Sequence, residues 1–144
     1  MTDGDLSLVY QLPIKQVLAA YNREHAEKQV DVELDLRGCM EDELPEVYDW
    51  LEQKMARFQT LDGKGKRLRW AFEARSQKVF YFHVKEDAML LGFYLFSFRC
   101  SDGNSFRPMA YSELALSAEE QRRLNEAVAE LGLEAPSLTI MVHS

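Results

Sequence analysis

Long hydrophobic runs are missing from this chain. No apolar stretch reaches the roughly 18 residues that a membrane-spanning helix needs, and the most apolar one, Ala88–Phe98, is short and strand-like. The opening MTDGDLS is acidic and polar, the reverse of a basic region followed by an apolar run, so no secretory leader is expected. A soluble cytoplasmic protein away from membranes is the expectation. Cysteine is scarce too: Cys39 and Cys100 lie far apart and match no metal signature. In a reducing compartment they read as two free thiols. The three histidines, His25, His83 and His143, have no partner at metal-ligand spacing. Neither GxSxG nor HExxH occurs, and Asp62-Gly-Lys-Gly-Lys66 lacks the GxxxxGK[ST] pattern of a phosphate loop. The sequence therefore assigns no catalytic, cofactor-binding or metal-binding residue, and no cofactor is expected.

Linkers are also missing. With 7 Gly and 4 Pro among 144 residues, no Gly/Pro/Ser-rich tract divides the chain. Residues 1–144 are expected to form a single domain, with residues 1–6 flexible. A composition 47% hydrophobic and 28% charged suits a globular domain with a real core.

Charge is present and unevenly placed. The net charge is −7, but residues 63–109 carry 4 acids and 9 bases between two acidic flanks. The overall balance disfavours nucleic acid and anionic membranes. The basic run Lys64, Lys66, Arg67, Arg69, Arg75 and Lys78 is interleaved with Trp70 and Phe72. Strand alternation would turn those aromatics away from Arg67 and Arg69, so no stacking platform for bases is expected.

Periodicity supplies the elements. Pro13 suits a first helical turn, and Ile14, Val17, Leu18 and Tyr21 make one apolar stripe of a helix to about Glu27. Val30–Leu36 alternates, with Val32, Leu34 and Leu36 against Asp31, Glu33 and Asp35, which predicts a half-buried strand. Asp42 is a candidate N-cap for a helix over 43–59 with a stripe of Leu44, Val47, Tyr48, Leu51, Met55 and Phe58. Arg67–Arg75 alternates again. Its arginines could pair with the acids of the 30–36 strand. Lys78–Lys85 and Ala88–Arg99 read as two strands apolar on both faces, hence covered on both. Ser117 and Glu120 form a capping box, Gly132 a helix C-terminus, and Ser137–Val142 a last strand. The fold class expected is α+β. It is a mainly antiparallel sheet of about five strands with helices packed on it. The element order is the ferredoxin-like β-α-β-β-β-α-β, preceded by an N-terminal helix.

Lys78–Cys100 holds seven of the sixteen aromatic residues. Its surplus of apolar face makes Tyr81, His83, Tyr94 and Phe96 the candidate binding surface. Arg99 and Arg107, bracketing a Gly/Asn/Ser loop, are candidates to hold an anion or an acidic segment. His83 is also the candidate acid/base or ligand group. Cys39 is the better-placed thiol, though Glu41, Asp42 and Glu43 beside it argue against a nucleophilic role. The function expected is a non-enzymatic protein-binding module with a protein partner, homodimerisation being one form of it. A small acidic adaptor, a chaperone or a toxin-neutralising (immunity-type) protein would fit. The alternatives are a small-ligand-binding or regulatory domain with a pocket between sheet and helices, and an enzyme with an unrecognised site.

Overall fold

The first strand, β1 (Thr2–Pro13), is the spine of the sheet. Leu6, Leu8, Tyr10 and Leu12 point to the helices while Ser7 and Val9 are buried on the other face. A strand buried on both faces is covered on both. In the computed structural model, which describes residues 2–59, 78–100 and 111–143, β1 pairs antiparallel with β3 (Ala88–Cys100) along its whole length, from Thr2 opposite Cys100 to Pro13 opposite Ala88. The register shifts between Leu6 and Ser7, a bulge that adds local twist. β2 (Val79–Val84) adds to β3, and β4 (Thr139–His143) adds to the other side of β1. The order is β2-β3-β1-β4, all antiparallel.

Gly92 of β3 packs tightly against β1. A Cβ placed there would stand 2.0 Å from the Leu8 carbonyl oxygen and 2.7 Å from Val9 Cα. Only a residue without a side chain permits that approach.

The helices lie on one face. α1 (Ile14–Glu24) starts straight from β1 and buries Ile14, Val17, Leu18 and Tyr21, the stripe read from the sequence. It stops short of Glu27. His25 stacks on Tyr21 with ring centroids 3.9 Å apart, and its Nδ1–H donates to the Tyr21 carbonyl at 2.8 Å. That bond leads the chain out of the helix.

The strand expected over 30–36 does not form. Asn22 clamps Val30 through both its side-chain amide groups, at 2.9 and 2.8 Å. The Asp31 carboxylate accepts from the Glu33 N–H at 3.0 Å, and the Leu34 N–H closes a turn on the Asp31 carbonyl. Asn and Asp side chains compete with strand pairing by offering the backbone these local bonds. Leu36 goes to the core while Leu34 is exposed, so the alternation marked no common face. Among the described residues, Glu33 pairs with Lys15 on the surface. The strand expected over 67–75, with Trp70 and Phe72, lies outside the described residues.

The long helix expected over 43–59 is two pieces. α2 (Met40–Glu43) and α3 (Pro45–Met55) divide at Leu44, whose backbone (φ −135°) has left the helical region ahead of Pro45. Asp42 falls inside α2 rather than capping it. Glu43 instead reaches back to the N–H groups of Arg37 and Gly38. α3 buries Val47, Leu51 and Met55 as expected, and Trp50 as well. α4 (Tyr111–Leu114) is one turn. α5 (Ala118–Glu130) has both bonds of the expected Ser117/Glu120 capping box. It ends at Gly132, φ +71°, where the Gly132 and Leu133 N–H groups return to Ala129 and Val128.

The α+β class thus holds: an antiparallel sheet carries helices on one face. The ferredoxin-like order and a fifth strand do not appear among the described residues, because 30–36 is a turn-rich loop and β1 takes the centre of the sheet. That strand includes Thr2–Leu6, the residues for which a loose start is expected. No helix among the described residues is long and apolar enough to cross a membrane.

Candidate functional site

β2 carries two different faces past the helices. Phe80, Phe82 and Val84 turn toward them; Val79, Tyr81 and His83 turn away, opposite Tyr94, Gly92 and Leu90 of β3. Tyr81, His83 and Tyr94 therefore share the far face of the sheet, as their spacing implies. They are half-buried rather than openly exposed. Tyr81 is also tethered. Its ring lies beside Gly92, where no side chain blocks the way, and its hydroxyl hydrogen-bonds the Ser7 side chain on β1. Burial pushes the Tyr81 phenol up, the Ser7 contact pulls it partly back, and Asp5 adds to the rise. Phe96 and Arg99 occupy β3 positions opposite Leu6 and Asp3. Arg107 lies outside the described residues, so an anion site between the two arginines gains no support.

What gathers around Tyr81 and His83 is a cleft of about 270 Å³ across the outer edge of β2. Tyr81, Phe82, His83 and Val84 form its floor. Cys39, Met40 and Glu41 come from the start of α2, and Tyr48 and Glu52 from α3, with Gln59 just beyond. A spacing of four puts Tyr48 and Glu52 on one side of α3. The Tyr48 ring packs on Phe82, centroids 5.8 Å apart and tilted 49°. Its hydroxyl lies near the Glu41 and Glu52 carboxylates. Burial, then the negative charges of those two carboxylates, push the phenol up to about 12. At neutral pH Tyr48 is therefore a neutral phenol beside two carboxylates.

The sequence pointed to Tyr81, His83 and Cys39, and the structure brings all three to this cleft. It missed Glu41, Tyr48, Glu52 and Phe82. Tyr48 reads as one more member of an apolar stripe, and nothing in a lone sequence joins Glu41 to Glu52 across the α2–α3 break. Lys78, the last of the basic run, is not part of an open basic surface. It turns inward to the Ala115 carbonyl and to Glu120, 3.1 Å away. His25 is satisfied by Tyr21, as a structural residue would be. No group of three or more His, Cys, Asp or Glu among the described residues could hold a metal ion.

No protein-family model matches the chain, and no curated protein or solved structure matches it.

Proposed function

We propose that this chain is a non-enzymatic binding module that engages a protein partner through the cleft at β2. The size of that cleft carries the reading. Sites that enclose a whole small ligand run from about 300 to 1,000 Å³. A cleft of about 270 Å³ lies just below that range and suits a side chain presented by another protein. Its lining mixes aromatic and polar groups, the composition of interface pockets.

The test is native purification of the full chain followed by mass spectrometry and hydrogen exchange. A protein recovered in fixed ratio, protecting the amides of residues 39–59 and 79–84, is the expected result. Recovery of a metabolite with no protein would overturn this reading in favour of a small-ligand domain.

A further inference from the structure

We propose that β4 is the seat of a second copy of this chain: two β4 strands pair antiparallel, edge to edge, and join two sheets into one. This goes beyond the cleft at β2 and does not depend on it.

The starting observation is an apolar row left in water. Leu138, Ile140 and Val142 are 38%, 60% and 58% exposed. Of the five exposed large hydrophobics among the described residues, these three stand together at alternate positions. Scattered single residues of that kind are ordinary surface, whereas a row is a contact surface. Ile140 and Val142 lie in register with Leu8 and Leu6 of β1, so the row continues the core-facing side of the sheet one strand further out. β4 also ends the sheet among the described residues, and it lacks the usual guards of an edge. Natural edge strands carry a lysine, a proline or a bulge. Thr139–His143 contains no lysine or proline, and it pairs with β1 without a register shift.

Two properties single out a second copy over a foreign segment. The first is charge. Each copy carries a net −7, so two copies repel across most approaches. Ala135–Ser144 holds no Asp, Glu, Lys or Arg, in a chain that is 28% charged. The second is symmetry. A two-fold interface must be its own complement. Antiparallel pairing centred on Met141 sets Ile140 opposite the partner's Val142, and Val142 opposite the partner's Ile140. β-branched side chains then meet across the pair and no like charges oppose. The strand order leaves β2 and its cleft away from this contact. Five residues of strand edge make a contact below about 1,200 Å², the low end of specific interfaces, so the dimer is weak and dissociates on dilution.

The experiment is sedimentation of the full chain from about 5 to 500 µM, with monomer expected at the dilute end and dimer at the concentrated end. Amide NMR over the same range should show shifts confined to residues 138–143 and the facing part of β1. Ile140→Lys should weaken association by at least about tenfold, the loss of an apolar contact, while the unfolding midpoint of the dilute chain stays unchanged. Val142→Glu should do the same. An equal mixture of the two variants should recover association, because the antiparallel register sets the new lysine opposite the new glutamate. A monomer at every concentration overturns the proposal. So does self-association that survives Ile140→Lys, or that shifts residues 39–59 and 79–84 instead. A mixture that associates no better than either variant overturns the antiparallel register. The Ile140→Lys chain keeps the β2 cleft and should still recover a protein partner in full; loss of recovery makes the row that partner's seat and overturns self-pairing. If native material yields no partner at all, the reading of the β2 cleft falls and the dimer stands.

Discussion

β2 and β4 flank the same two long strands, but the residues they turn toward the helices have opposite surroundings. Phe80 of β2 is 0% exposed. Its ring meets Phe58 at 5.9 Å and Phe93 at 5.6 Å, and Arg123 lies over it. Ile140 and Val142 of β4 are 60% and 58% exposed, although they stand in register beside the core-facing Leu8 and Leu6. Strand pairing gives a residue its side of the sheet. Burial depends on whether a helix extends that far: α3 and Phe58 just beyond it cover β2, while the β4 positions stay exposed.

Substitutions at the two edges should separate most widely. Phe80→Ala leaves a cavity in a closed cluster and should cost about 3–5 kcal/mol in urea unfolding. Ile140→Thr should stay within about 0.5 kcal/mol. An Ile140 effect near that of Phe80 would mean that something covers β4 in solution, and the contrast would break. Gly92→Ala tests the spine that both edges share. The new Cβ meets backbone rather than a movable side chain, so a cost of about 1–3 kcal/mol or more is expected from overpacking. An unchanged midpoint would show that the two strands can separate at little cost.

The capping box of α5 comes next. Ser117→Ala removes the bond to the Glu120 N–H (3.1 Å) and should cost about 1 kcal/mol. Burial alone would raise the Glu120 carboxyl. The Ser117 N–H, and then Lys78, outweigh it and hold the group below its ordinary value of 4.5. A group lowered by folding contributes stability above its unfolded value and loses it as pH falls through the folded one. The stability difference between wild type and Glu120→Gln should therefore shrink below about pH 4.5, read from urea midpoints at successive pH values.

The smallest signal is Tyr48 at alkaline pH. Folding favours its neutral form, so its contribution is complete below pH 10.0 and fades as pH rises toward about 12. Ultraviolet titration should show late-ionising phenols, Tyr48 among them, and Glu52→Gln should bring Tyr48 earlier. If every tyrosine titrates together near 10, Tyr48 does not lie between its carboxylates.

Sequence patterning reached the helices and the aromatic hairpin better than the sheet as a whole. The stripe of α1, the box at Ser117, the glycine at 132 and the strands β2 and β3 all rest on local chemistry, and each is found. The strand assigned to Val30–Leu36 failed because Asn22 and Asp31 hold that segment with side-chain bonds that periodicity does not register. The central place of β1 was hidden by Asp3-Gly4-Asp5, residues that rarely favour strands. They are held there by pairing with Phe98 and its neighbours, far along the chain. The cleft was half legible. Tyr81 and His83 stand out in an aromatic run, whereas Glu41, Tyr48 and Glu52 become a group only once the chain breaks at Leu44–Pro45.

β1 precedes its partners in the sheet by long stretches of chain. β3 pairs with one edge of it and β4 with the other. A growing chain therefore carries a strand destined for burial, with both edges unpaired, until β3 has been made. Pairings of such long sequence separation are slow to close, and intermediates that expose strand edges invite misassociation. The helices can form early from local signals. The sheet closes late, so interrupted synthesis ahead of residue 88 should yield a product prone to aggregation.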